Sequence, residues 1–280
     1  MMNNTFLRKL NAGIIILFLT IISLCVMYPL VYVVSSAFSP GNSIADMAIV
    51  PFGKGFTLVH FEHLFNKTDY PLWFRNTLFI ATCTSIGTLL VASFGAYVFS
   101  RFRFTFKKTL MLALLVLQIF PSIVGMIAIY AILYRFGLLD TLWGLVLVYM
   151  AGNIPYNIWL VKSYLDTIPR SLDEAARIDG AGNFRIWVTI IMPIAKPILI
   201  FLAITSFTGP WMDYIFPKIV LRSSENMTLA LGLFSFITEK KNDFTNFAAG
   251  SILVAIPFII FFVVTQKMLI TSLGSAAVKE

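Results

Sequence analysis

Apolar residues fall in six long runs along the 280-residue chain, at about 12–38, 76–100, 109–134, 142–164, 194–217 and 247–271. As a helix, each run is long enough to cross a hydrocarbon core, which takes about 20 residues. In lipid only helices and closed barrels satisfy their own backbone groups. The pattern predicts an all-α integral membrane protein with six transmembrane helices. The first run exceeds the roughly 7 to 15 apolar residues of a secretory signal and reads as an uncleaved span. No repeat of roughly 20 to 50 residues is visible and no linker divides the chain, so the spans form a single transmembrane domain over 1–280.

Between the fourth and fifth runs, over 165–193, lies a polar interruption with internal design, ending PRSLDEAARIDGAGNFRIWVTIIMP. Ser171 stands three residues before Glu174, the spacing of a reciprocal helix cap. A helix is therefore expected from near Leu172. Gly180 and Gly182 follow where residues without a Cβ end helices, which leaves about two turns, or roughly 12 Å at 1.5 Å per residue. Beyond this elbow Phe184, Trp187, Val188 and Ile191 recur at helical spacing as one apolar stripe, and Pro193 is expected to stop that second helix. A two-turn helix is marginal alone and must be held by packing against something else.

Composition agrees with the pattern. Apolar residues make up 59% of the chain, charged ones 12%, and mean hydropathy is +0.87, far from the roughly 25% charge of soluble domains. The formal charge of +8 comes from residues scattered over short loops, which indicates topology and not a nucleic-acid surface. With the N-terminus inside, thirteen of the 21 Lys and Arg fall on the inner side and eight on the longer outer loops. Cytoplasmic loops are the basic ones, so both termini and the 165–193 loop are expected in the cytoplasm. Cys25 and Cys83 lie within apolar runs and read as small buried hydrophobes.

The second run carries Ala81, Ser85, Thr88, Ala92 and Ala96 at steps of three and four, a face on which helix backbones can approach closely. In the third to fifth runs, polar and helix-breaking residues cluster: Gln118 with Pro121 and Ser122, Asn153 with Pro155 and Asn157, and Gly209-Pro210 before Asp213. Prolines free carbonyls that need partners, so these depths should face a cavity or one another. Asn153 and Asn157 suit either an interhelical hydrogen bond or the lining of a polar path. Asp213 reads as an outer-end residue reaching the interface, since a carboxylate at mid-span costs about 2.5 to 3.5 kcal/mol on insertion scales. His60, Glu62 and His63 in the loop 40–75 are too few donors to read as a zinc site. The run TLALGLFSFI in 218–246 is apolar outside the spans and needs a partner or a fold of its own.

Glu174-Ala175-Ala176, then Gly180 after three residues and Ile190-x-Met192-Pro193 after nine more, resembles the EAA signature of bacterial ABC importer permeases. The one departure is Met192 where leucine is usual, a volume-conserving swap. The resemblance implies a type I ABC importer permease fold in which the first helix of the loop is a coupling helix. Glu174, Ala175, Ala176, Asp179 and Gly180 would then meet a homodimeric ATPase. It also implies a second homologous permease chain and an extracytoplasmic sugar-binding protein, with ATP and Mg held by the ATPase. From Trp211 onward, WMDYIFP, the TLALGLFSF run and the end QKMLITSLGSAAVKE resemble the smaller membrane subunit of maltose and malto-oligosaccharide importers. By that resemblance the outer loop before the last span enters the binding protein's cleft and the C-terminal tail contacts the ATPase dimer. Gln118, Asn153, Asn157 and Asp213 become candidates for the translocation path, and the expected location is the bacterial cell membrane.

The chain has no G-x-x-x-x-G-K-[ST] and no HExxH, CxxC or hydrolase elbow, so an ATP-driven process needs its hydrolysis on a separate subunit. A self-sufficient channel or secondary transporter would be expected to carry paired intramembrane charges, which are missing.

Overall fold

Small residues on one helix organise the membrane part. The computed structural model describes residues 4–43, 50–238 and 241–277. Residues 1–3, 44–49, 239–240 and 278–280, Lys240 and Lys279 among them, lie outside the described residues. The helices are α1 (Asn4–Phe38), α2 (Val59–Lys67), α3 (Tyr70–Arg101), α4 (Lys107–Ile119), α5 (Ser122–Arg135), α6 (Leu142–Leu165), α7 (Ser171–Ile178) and α8 (Asn183–Ile186). After a π turn at Trp187–Ile191 come α9 (Met192–Ile194), α10 (Lys196–Met212), α11 (Ile215–Val220), α12 (Leu229–Phe234) and α13 (Phe244–Ala277). A two-residue hairpin pairs Ile237 with Asn242 and Thr238 with Lys241.

The chain forms two compact units, one of residues 70–232 with those from 256 onward, the other of residues up to 69 with 233–255. In the larger unit α3 packs along α6 and α10. Ala81, Ser85, Thr88, Ala92 and Ala96 are all buried, as their spacing predicts. Ser85 Oγ donates to Ala203 O of α10 at 2.8 Å, so the small face carries a hydrogen bond as well as close packing. Towards one end Ala92, Ala96, Tyr97, Val161, Leu165, Ile186 and Ile191 share a core; towards the other Ile80, Leu145, Val146, Phe216 and Val220 share a second.

Three helices among the described residues are long and apolar enough to cross a membrane unaided, the stretches Asn11–Phe38, Tyr70–Arg101 and Leu142–Leu165. One of the predicted spans is sharply bent within its length, and another begins at a sharp bend. The run 109–134 becomes α4 and α5, meeting at 105°. The cause is Pro121, which forces Phe120 out of the helical region to ψ 126°. The run 194–217 becomes α10, set at 84° to the helical stretch before it, with the break at Ala195, and α11 beyond Asp213. The helix expected to stop at Pro193 ends one residue later, at Ile194. The preceding turn widens so that the Met192 amide bonds to Trp187 O, five residues back, which accommodates the missing proline donor. The run 247–271 lies within α13.

In the smaller unit the end of α1 is tied to its own loop: Phe38 stacks on Phe56 at 4.8 Å, and His60 Nε2 is 3.0 Å from Ser39 O. His60 thus has a structural partner. The apolar run after Thr228 is divided between the units. In the larger unit Leu229 and Leu231 are buried and the Leu229 amide donates to Thr77 Oγ1 at 2.7 Å, and in the smaller one Leu233 and Phe236 are buried. Gly232 lies so close to the Trp73 ring that a Cβ there would stand 2.0 Å from it.

Candidate functional site

The helix α7 begins at Ser171, with Arg170 at its N-cap in helical conformation and no side-chain cap. The reciprocal cap between Ser171 and Glu174 therefore does not form. The chain enters already coiled, with the Ile168 amide on Leu165 O and the Glu174 amide on Arg170 O, so Ser171 lies inside the first turn. An ionic clamp holds the start instead. Arg101, at the end of α3, donates through Nη1 to Leu165 O and through Nη2 to Ile168 O, both at 3.1 Å. Its Nε lies 2.5 Å from Asp173 Oδ2, both side chains being only 3–4% exposed. Arg170 Nη2 donates back to Ser100 O at 3.1 Å, and Ser100 Oγ to Asp166 Oδ1 at 2.7 Å.

The other end closes as the glycine spacing predicts. Gly180 has φ +81°; its amide bonds to Arg177 O, and the Ala181 amide to Ala176 O. This paired closure requires a left-handed residue at that one position. Gly182 is extended and caps α8.

Asp173 and Ala176 turn inward, while Leu172, Glu174, Ala175, Ile178, Asp179 and Gly180 are exposed. Ile178 is 87% exposed and Phe184 68%, unusual for such residues in a polar loop. The expected stripe of the second helix is half realised: Trp187 and Ile191 are buried, together with Ile186, while Phe184 and Val188 stay outside. The π turn changes the angle per residue, so a 3.6-residue count drifts off the buried face.

The polar mid-span residues divide. A cavity of about 550 Å3 in the larger unit is lined by Met126, Ile129, Tyr149, Asn153, Asp213 and Phe216 among others. Asn153 is half-buried there. Asp213 terminates α10: its Oδ1 accepts from the Ile215 amide at 2.9 Å and its Oδ2 from Tyr149 OH at 2.8 Å. It is thus a hydrogen-bonded element of the cavity wall. Asn157, one turn on, is buried and donates to Asn153 O within its own helix at 2.8 Å. Gln118 is exposed, its Nε2 3.5 Å from Gly152 O, beside the backbone that Pro155 interrupts.

Sequence reasoning passed over Arg101, Asp173 and Tyr149. Tyr149, Asn153 and Asn157 are spaced by four, a polar line along α6 that a helical count could have found. It also missed Asp140, whose side chain accepts from the amides of Arg222 and Ser223 and anchors the loop before α12. Burial pushes that carboxyl up, but these hydrogen bonds outweigh it and hold its pKa below the ordinary value.

Residues 88–270 match the family model described as binding-protein-dependent transport system inner membrane component. The chain belongs to this family. It is 40% identical over 279 residues to the maltodextrin transport system permease protein MdxG of Bacillus subtilis, covering 99% of this chain and all of that one. To the galactooligosaccharides transport system permease protein GanQ of the same organism it is 36% identical, covering 98% and 96%. A chain of the bacterial ABC transporter involved in import of the acidic polysaccharide alginate has the same fold, with TM-score 0.82, 23% identity and coverage of 95% and 98%. This inner membrane component is therefore a translocating, multi-pass membrane subunit and not an enzyme, and its mostly helical architecture is that of ABC importer permease chains.

Proposed function

We propose that the chain is one of two different permease subunits of an ATP-driven importer for carbohydrate, of the malto-oligosaccharide type. It crosses a bacterial cell membrane six times with both termini in the cytoplasm. The broken pairs α4–α5 and α8–α10 each serve as one crossing, and α1, α3, α6 and α13 supply the rest. The observation that carries this reading is α7, a two-turn helix clamped to the end of a spanning helix by a buried ion pair, with Leu172, Glu174, Ala175 and Ile178 facing outward. Such a surface suits docking on an ATPase dimer, which would bind ATP and Mg. The closure by the Gly180 and Ala181 amides on Arg177 O and Ala176 O fixes its angle to the spans. Closure of the ATPases would move α7, and the two permease chains would open in turn towards a sugar-binding protein outside and the cytoplasm inside.

The cavity supports a sugar path along α6. Asn153 offers both a donor and acceptors, and the rings of Tyr149 and Phe216, 6.0 Å apart, offer apolar faces for a pyranose. The 40% identity to a maltodextrin permease favours that sugar class, and the 36% identity to a galactooligosaccharide permease supports a second reading as a carrier of other oligosaccharides. Asn153→Leu should cut sugar uptake about five- to tenfold, the worth of one or two hydrogen bonds, with the complex still assembled. Failure of assembly in place of slower uptake would make Asn153 a packing residue. For orientation, in a cysteine-free background an impermeant thiol reagent added outside cells should label Lys67→Cys and spare Arg177→Cys. The reverse pattern would put α7 on the wrong side for an ATPase.

A further inference from the structure

A second cavity, of about 410 Å3, opens where α3 and α6 end, lined by Arg101, Lys107, Lys162, Asp166 and Arg170 among others. Its charges do not cancel. Among the described residues Asp173 is engaged by Arg101 and Asp166 by Lys162. Lys107 Nζ donates to Phe102 O at 3.2 Å and Arg170 to Ser100 O. Those carbonyls fix the two side chains in place without neutralising them. Burial pushes the Asp166 carboxyl up, yet Lys162, Ser100 and the charge of Lys107 hold its pKa below the ordinary value, as expected in a positive field. The segment leading into the cavity, RFRFTFKK over 101–108, alternates aromatic and basic side chains, the composition of a chain lying at headgroup level. Phe104 and Phe106 are exposed, and from Lys107 the surface continues along the exposed apolar residues Leu110 and Leu117, seven apart on one face of α4.

We propose that this cavity binds the phosphate of an anionic phospholipid headgroup, held by Lys107 and Arg170, with the acyl chains lying along α4. A soluble anion would use the cations but not the apolar surface continuing from them, and the carboxylate of a partner protein would likewise leave α4 without a role. The proposal requires only that the ends of α3 and α6 meet a headgroup layer, which either orientation of the chain provides, and it is independent of the sugar carried. Because Arg170 joins α7 to Ser100, a lipid seated here would also steady the start of α7.

The test is native mass spectrometry of the delipidated complex, containing this chain with its partner permease and ATPase, titrated with phosphatidylglycerol or with phosphatidylcholine of the same acyl chains. The expected result is preferential binding of phosphatidylglycerol. It should weaken about 25-fold in Lys107→Gln/Arg170→Gln, at about fivefold per juxtamembrane cation, with phosphatidylcholine binding unchanged. Lys107→Arg/Arg170→Lys, which keeps the charge, should retain most of the affinity and guards against a folding defect. Equal phosphatidylglycerol affinity in wild type and the glutamine variant overturns the proposal. So does full displacement by millimolar inorganic phosphate, which would make the site one for a soluble anion. Loss of the ATPase subunit at unchanged lipid affinity would assign the cavity to an acidic group of that partner and overturn it too.

Discussion

Gly180→Val will abolish sugar uptake while the chain still inserts in the membrane. Gly180 has φ +81°, a region in which a β-branched residue is a genuine outlier and which costs on the order of 1–3 kcal/mol for side chains in general. Steric crowding plays no part, since a Cβ at this position meets nothing within 4 Å. The strain therefore acts wholly on the backbone and is relieved by opening the bonds from the Gly180 and Ala181 amides to Arg177 O and Ala176 O. Opening them unwinds the last turn of α7 and re-aims Ile178. The ATPase should then detach on purification, or remain attached with its hydrolysis no longer stimulated by the binding protein. Gly180→Asn, which tolerates the left-handed region, should keep most activity and separate backbone strain from the mere presence of a side chain. Glu174 makes no capping bond in α7, so Glu174→Gln tests the exposed charge alone. A marked fall in uptake with normal insertion is expected, since a charge-assisted bond to the ATPase is worth about 1.5–3 kcal/mol.

The second large effect is expected at the Arg101–Asp173 pair. With both side chains 3–4% exposed, removing one partner leaves a buried uncompensated charge, at a cost of about 3–5 kcal/mol. Asp173→Leu should lower the unfolding midpoint of the purified chain and expose the amides of α7 to hydrogen exchange. Arg101→Met should do at least as much, because it also deprives Leu165 O and Ile168 O of their donors. The double variant Arg101→Met/Asp173→Leu should lose less than the sum of the two, the signature of a direct pair. Additive losses would mean that the pair is not what holds α7 to α3.

These two positions also mark how far the sequence could be read. Gly180 was legible because the end of a helix leaves few residues able to close it, and the small face of α3 was legible because close backbone approach tolerates only small side chains. The clamp was hidden. Arg101 counts in a charge tally as one more basic residue at a span end, and nothing in the order of residues reveals that the chain returns 72 positions later to bury Asp173 against it. The Ser171–Glu174 spacing suggested a cap, but capping needs an extended residue before the helix, and the turn at 166–170 delivers the chain already helical. Breaks were the hardest to foresee. Hydropathy counts length without direction, so the 105° bend at Phe120-Pro121 was invisible to it although Pro121 was legible as a helix breaker, and the 84° angle at Ala195 was not foreseen although the helix stop beside it, at Pro193, was. The site residues followed the same division. Asn153 and Asp213 come together at one cavity, while Asn157 turns into the protein only one helical turn away.

The account rests on the claim that this chain moves sugar only as one subunit of an ATP-driven assembly. The most direct measurement is uptake of labelled maltotriose into proteoliposomes containing the chain, its partner permease, the ATPase and the binding protein, with each component omitted in turn. The account predicts uptake only when all four are present with ATP on the ATPase side. Uptake by the chain alone, driven by a proton or sodium gradient without the ATPase, would contradict it.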